Sequence, residues 1–574
     1  MADHINPKLH KRIYKGMLGL TLFIFFGAIY LAAVFATSLY WALAALPLAV
    51  VTIWLYFRYK KLAILAELRN TWGYKSQRKR EITEIAALHK YQQEAGFTID
   101  EQTWDDLNMD SFYALIDRTL TLPGESVLYH LLRTPSFSEE ALAKRNKIIT
   151  RFQQDQSFRE SVQIELTKLK RPRDNSLTQL LWGKRPQKSA LAPVYTLLAL
   201  AALFSLLTPF IWGARGVFLI MMMFSLNSYI HYKVSKTYSY QIPAISTVSS
   251  LLRAAGRIAG LSVTGLEEYQ KELAEAARAG RKIIKKTRWL FNKVTASDFD
   301  FIYDYLKLFF LMEVRSFYGA IEEINRQVKH LQSSYIAIGT IDALQSVASY
   351  RTKLEYSEPK FVSEKMLDLQ SVRHPLLEKP VANSITISDQ GILITGTNMS
   401  GKSTFLRTIG INALMAQTIC TTLATSYRGS FVQIISSINK ADNIAEGKSF
   451  YFAEAERLRT IIAPEYKDYP ALCLIDELLS GTNYLERLAA SRAILAYLKR
   501  KNALVIVATH DLDLADELPG EYQCYHFSDK VDKSGLDFDF TLKEGVAKSR
   551  NAIKLLEYLG YPKQIIEQAN KAIQ

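Results

Sequence analysis

From Met17 to Phe57 the chain runs 41 positions without a charged residue. A membrane-spanning helix takes about 20 apolar residues, so this pattern predicts two helices back to back, Met17–Phe35 and Tyr40–Phe57, turning at Ala36–Leu39. A second uncharged run covers Ser189–Ala214, and beyond Arg215 the stretch Gly216–Ile230 is again apolar. It predicts a second hairpin that turns near Trp212–Gly216. Basic residues flank both hairpins: Lys8, Lys11, Arg12 and Lys15, then Arg58, Lys60 and Lys61; Lys184, Arg185 and Lys188, then Lys233 and Lys236. By the positive-inside rule both would enter and leave on the cytoplasmic side of an inner membrane, as a multi-pass protein with cytoplasmic soluble parts. Only Arg215, in a turn, is charged within them, so they are expected to anchor and not to conduct.

Elsewhere the period is helical. Leu107–Leu132 reads as two short helices broken at Pro123–Gly124, followed by Ser138–Leu169, Thr247–Ala259, Leu266–Lys286 and a long Asp298–Ser349 pattern read as two helices of a lever-like arm. From about Asp368 short apolar runs alternate with helical stretches: Gly391–Thr395, Phe431–Ile435, Ala471–Ile475 and Ala503–Ala508. That alternation predicts an α/β domain with a largely parallel sheet. The expected fold class is therefore multidomain: four transmembrane helices in two hairpins, an α-helical core and lever region, and a C-terminal α/β P-loop domain. The expected divisions are a basic tail (1–16), the first hairpin (17–57), a helical region (58–188), the second hairpin (189–232), a helical core and lever arm (233–370) and the α/β domain (371–574).

Composition narrows the class. The chain has 574 residues, of which 49% are hydrophobic and 11% aromatic, which excludes a disordered chain. Its three cysteines, Cys420, Cys473 and Cys524, form no CxxC pair and make no disulfide scaffold. Residues 371–574 hold 23 basic and 23 acidic residues, so the net charge of +15 belongs wholly to residues 1–370. A basic excess suits nucleic acid or an anionic surface; its densest stretch is Arg281–Arg288.

The chemistry concentrates in the C-terminal third. Gly396-Thr397-Asn398-Met399-Ser400-Gly401-Lys402-Ser403 fits GxxxxGK[ST] between an apolar strand and the expected helix Thr404–Thr418. In that context backbone N–H groups wrap phosphates at a helix N-terminus, Lys402 reaches the β- and γ-phosphates and Ser403 holds Mg²⁺. After the apolar run Ala471–Ile475 come Asp476, placed to engage the Mg²⁺ shell, and Glu477, placed to orient or deprotonate a water. A third apolar run, Ala503–Ala508, leads through Thr509 to His510, placed to contact the γ-phosphate or the water. ATP and Mg²⁺ are the expected ligands, and ATP hydrolysis the expected reaction.

Taken in order, these segments resemble the MutS family of DNA mismatch-repair ATPases through Gly391–Thr404, Gly447–Glu456, Ala471–Thr482 and Ala503–Asp511. The resemblance adds Thr404 and Val381 to the nucleotide-binding set. It gives Ser449, in the loop Gly447–Glu454, the role of reaching the γ-phosphate held by the opposite subunit. It implies an ABC-type ATPase working as a homodimer, with Ser549–Ile573 similar to the family's terminal helix–turn–helix. Asp110–Pro135 and residues 233–370 look like the family's helical core and levers, which makes the second hairpin an insertion within that core. The segment ahead of this core-like region leaves no room for a mismatch-reading domain, so a membrane-anchored branch without it is expected. Pro380 stands where relatives often carry an adenine-stacking aromatic, and Asn483–Arg487 departs from their acidic–glycine turn. Three functions stay open: a membrane-linked ATPase whose arms hold DNA, an ABC-type transporter, and a nucleotide-switched scaffold without DNA.

Overall fold

The computed structural model describes residues 40–92, 96–169, 176–186, 191–238, 241–287, 300–397, 400–438, 450–518, 520–532, 535–547 and 560–573, with a few single positions elsewhere. The chain divides into two compact units whose segments interleave along the sequence.

The first unit takes residues 1–78, 118–125 and 151–349 and is helical. Its core is built by Val248, Leu251 and Ile258 of the helix Gln241–Ala259, Leu273 of Glu267–Ala279, Ile283 of Arg281–Thr287 and Phe317 and Ile321 of Met312–Arg326, all fully buried. The long lever pattern resolves into three helices, Asp300–Phe309, Met312–Arg326 and Val328–Arg351. The first break is at Leu311, whose φ of 48° no helix interior accepts.

One polar knot fixes this unit. Asp342 is fully buried and accepts hydrogen bonds from Leu120 N, Thr121 N, Thr121 Oγ1 and Gln345 Nε2. Thr121 Oγ1 in turn accepts from Gly124 N at the start of the helix Leu122–Arg133. Pro123 and Gly124 therefore begin a helix where the sequence suggested a break, because proline is tolerated in a first turn. A Cβ on Gly124 would lie 2.1 Å from Asp342 Oδ2, an atom these bonds hold in place. Gly124→Ala is expected to destabilise the protein by about 1–3 kcal/mol, read as a lowered midpoint of thermal unfolding.

The expectation of four transmembrane helices is corrected here. Among the described residues no helix is long and apolar enough to cross a membrane. Met17–Phe35 lies outside the described residues but for single positions. Tyr40–Phe57 is part of a 32-residue helix, Tyr40–Thr71, that contains Pro47 and continues through Arg58, Lys60, Lys61, Glu67 and Arg69. The run Ser189–Ala214 is broken: Ala192–Ser205 has 14 residues, about 21 Å at 1.5 Å per residue, and a separate five-residue helix follows, Thr208–Trp212. Ala214–Thr237 is long enough but not apolar enough, carrying Arg215, Asn227, His231, Lys233 and Lys236. Asn227 Nδ2 is buried and donates to Phe309 O at 2.6 Å, and His231 pairs with Glu313 at 3.0 Å. The multi-pass inner-membrane placement, which rested on these spans, goes with them.

The second unit takes residues 79–117, 126–150 and 350–574. It holds two sheets. The smaller has the order β1-β5-β2-β3, from β1 (Lys360–Phe361), β2 (Leu367–Val372), β3 (Asn383–Ile387) and β5 (Ser426–Gly429). The larger runs β10-β9-β4-β8-β7-β6, from β4 (Gly391–Thr395), β6 (Gln433–Ser437), β7 (Ala471–Asp476), β8 (Ala503–Thr509), β9 (Tyr522–Asp532) and β10 (Gly535–Glu544). All neighbours in it are parallel except β9 and β10. β4 and β8 are buried at every position, as strands covered on both faces must be. Cys473, Ile475, Val505 and Val507 pack with Ile461, Leu495 and Leu498 in one core. The register aligns the strand ends: Thr395 pairs with Thr509, and Asp476 with Ala508. Whatever follows β4, β7 and β8 is thereby delivered to one edge of the sheet, where open α/β sheets bind their ligands.

Candidate active site

The turn after β4 is shaped by two glycines at positive φ, Gly396 at 144° and Gly401 at 107°. A Cβ on Gly396 would lie 2.9 Å from Phe527 O and one on Gly401 3.2 Å from the Phe540 ring, so only glycine keeps the loop's course. Gly401 caps an 18-residue helix, Lys402–Ile419, that begins two residues earlier than the sequence pattern suggested. Its first N–H groups and the dipole's positive end face the loop. The Lys402 side chain is buried, and Nζ donates to Gly396 O at 2.7 Å and Thr397 O at 2.9 Å. Ser400 is buried too, and its Oγ has no hydrogen-bond partner among the described residues.

A cavity of about 680 Å³ opens beside this loop. Thr397, Gly401, Lys402, Ser403 and Thr404 line one wall, and Asp476 and Glu477 reach it from the end of β7. Val381 and Asn383 line it from the segment ahead of β4, as does His374. Asn398, Met399 and Ser449 lie outside the described residues. The cavity is of a size for a small-molecule ligand. A cradle with no room for Cβ atoms, a buried hydroxyl without a partner, a lysine ammonium and two carboxylates are the groups a magnesium-bound nucleoside triphosphate requires.

His510 is not on the cavity wall. Its Nδ1 lies 3.0 Å from Glu477 Oε1, and its Nε2 lies 3.5 Å from Asp511 Oδ1. The hydrogen bond to Glu477 raises the imidazole's pKa above its usual value, against the opposing effect of burial. Glu477 itself has φ of 57°, with its N–H donated to Ala508 O at 2.8 Å. A carboxylate held in left-handed backbone is strain of the kind that collects at functional sites.

Four side chains take up contacts that only the fold reveals. His374 is buried, and desolvation followed by the charge of Arg407 pushes its pKa down to about 4, so it is neutral. Phe540 reaches the cavity from β10, which Asn383 pins by donating to Phe540 O at 3.0 Å and accepting from Leu542 N at 2.8 Å. Arg487 grips Asp511 with two bonds of 2.9 and 2.8 Å. Arg457, buried within the helix Phe450–Ile462, donates to Ser436 O and Thr103 Oγ1 at 2.7 Å each. Cys473 lies inside β7, where burial pushes its thiol up to about 12 and keeps it unreactive.

Residues 392–574 match the family model for MutS domain V. The chain is 31% identical over 276 residues to the DNA mismatch repair protein MutS of Listeria monocytogenes serotype 4b (strain CLIP80459), covering 46% of this chain and 32% of that protein. It is 28% identical over 270 residues to the protein of the same name from Geobacillus kaustophilus (strain HTA426), covering 45% and 30%. The protein of that name from Natronomonas pharaonis is 26% identical over 275 residues, covering 46% and 31%. The matched stretch thus amounts to about a third of the length of these curated relatives.

Proposed function

Because this chain belongs to the MutS family, we propose that it binds ATP with Mg²⁺ in the cavity beside Lys402 and hydrolyses it. The observation that carries this reading is the convergence of the Lys402 loop and the Asp476–Glu477 pair on one cavity of about 680 Å³. Gly396, Thr397, Asn398, Met399, Ser400 and Gly401 would wrap the phosphates with backbone N–H groups, Lys402 would trade its loop carbonyls for phosphate oxygens, and Thr404 and Val381 would complete the wall. Ser403 and Asp476 would hold Mg²⁺, whose chemistry is to neutralise charge on the phosphate oxygens. Glu477 would take the proton of the attacking water, while His510 holds that carboxylate's orientation. Phosphoryl transfer asks for little beyond such positioning and charge neutralisation. Phe540 offers a ring face to the base, in a wall where Pro380 supplies none.

Ser449 is assigned to the partner's γ-phosphate, so that two copies close on two nucleotides. DNA is the partner class this reading assigns, motivated by the relatives' printed names and by the basic excess in residues 1–370. A salt-titrated DNA-binding assay tests it: affinity must fall steeply with salt, and an absence of binding at low salt removes DNA from the account and leaves the scaffold reading. With the spans corrected, no observation favours a transporter. The nucleotide reading is tested by titrating the purified chain with ATP, with and without Mg²⁺. Binding that is strengthened by Mg²⁺ is expected; no binding in either condition would overturn it.

A further inference from the structure

Between the loop after β7 and the loop after β8 runs a chain of alternating charge, and its far end has no place in the reaction as described. Asp511 Oδ1 is shared: it accepts from Arg487 Nη2 at 2.8 Å and lies 3.5 Å from His510 Nε2. Asp511 Oδ2 accepts from Arg487 Nε at 2.9 Å, completing a bidentate pair. The two side chains are only 13% and 11% exposed. On the other side of the imidazole, Nδ1 faces Glu477 Oε1 at 3.0 Å. The order is guanidinium, carboxylate, imidazole, carboxylate.

We propose that Arg487 is a positioning residue for ATP hydrolysis, acting through Asp511 and His510 to fix the Glu477 carboxylate. This rests on the reading of Glu477 as the base. A lone imidazole on a loop, 45% exposed, would swing; this one is hydrogen-bonded at Nδ1 and has the Asp511 carboxylate 3.5 Å from Nε2, so turning it gives up the bond on one side and the charge contact on the other. Asp511 can hold it only if its own carboxylate is fixed. A bidentate guanidinium does this better than any other cation, because its planar fork matches both oxygens. Arg487 is itself well anchored. It lies in the first turn of the helix Tyr484–Lys499, whose cap is the Asn483 side chain accepting from Leu485 N at 3.0 Å. Its N–H donates to Asn483 O at 2.8 Å, and its guanidinium lies 5.4 Å from the centre of the Tyr484 ring. Tyr484 OH meets Asp513 Oδ2, a second tie between this helix and the segment after β8. Asp511 N donates to Thr509 Oγ1 at 3.0 Å, which shapes the turn carrying the imidazole. The base and the residue that aims it thus sit on separate loops, and the Arg487–Asp511 pair ties the helix that follows the first loop to the second.

The test compares steady-state ATP turnover of the wild-type chain, Arg487→Met, Arg487→Lys, Asp511→Asn and the double variant Arg487→Met/Asp511→Asn, alongside thermal midpoints and ATP affinity. Small misplacements of reacting groups cost up to about a hundredfold in rate. Arg487→Met is expected to lower kcat at least about tenfold with KM and ATP affinity unchanged. Arg487→Lys, which keeps charge without the fork, should fall between. Asp511→Asn should lose as much, and removing Arg487 from that background should cost nothing more, because the effect passes through Asp511. An unchanged kcat in Arg487→Met, additive losses in the double variant, or a loss that appears only in KM would each overturn the assignment. A wild-type chain that binds ATP without turning it over would instead overturn the hydrolysis reading, which separates the two failures.

Discussion

Glu477→Gln is expected to reduce ATP turnover by about 10²–10⁴-fold while ATP binding persists. The substitution is isosteric but removes the proton acceptor. The backbone that presents it need not change: φ at 477 stays at 57°, and the N–H keeps its bond to Ala508 O. The side-chain amide oxygen can still accept from His510 Nδ1, so the loops remain tied. What is lost is the basicity that draws a proton from water. Turnover measured with labelled ATP, beside equilibrium binding on the same preparation, separates the two. Equal turnover in the variant would remove Glu477 from its role and with it the reason for the charge chain behind it.

Lys402→Ala is expected to act one step earlier, on binding. Charge-assisted hydrogen bonds are worth about 1.5–3 kcal/mol each, so losing the ammonium should weaken ATP affinity on the order of 10- to 100-fold. The fold should tolerate the change less than a surface substitution would, because the ammonium also satisfies Gly396 O and Thr397 O inside a buried loop. A small drop in thermal midpoint should accompany the loss of affinity. Isothermal titration with Mg²⁺ and ATP checks the first and calorimetric unfolding the second. Unaltered affinity would mean that the cavity's ligand does not meet this side chain.

The parts of this account legible in sequence are those whose physics is local. β4, β7 and β8 are buried on both faces, so each is a continuous apolar run with sharp ends, and their extents were readable to within a residue. β6, whose first residue Gln433 is polar, was placed two residues early. The glycine-rich turn was legible because Gly396 and Gly401 answer a backbone need. Charge-free length misled in the helical unit. A run without charge says nothing about where a helix stops, and only two residues separate the end of Ala192–Ser205 from Thr208–Pro209, which opens another. Nor does it show that Asn227 and His231 are held by Phe309 O and Glu313, some 82 positions along the chain. Separation along the chain also hid the pairing of Arg487 with Asp511, 24 positions apart with no spacing that announces a pair. Phe540 was hidden because its approach to Gly401 depends on the β9–β10 hairpin.

The most direct test of the central claim is phosphate release from ATP by the purified full chain, measured with Mg²⁺ and again with the metal chelated. Steady release that requires Mg²⁺ is expected, lowered about 10²–10⁴-fold in Glu477→Gln and, at ATP below saturation, about 10- to 100-fold in Lys402→Ala. Release that is absent with Mg²⁺ present, or that neither substitution lowers, would be the contrary result.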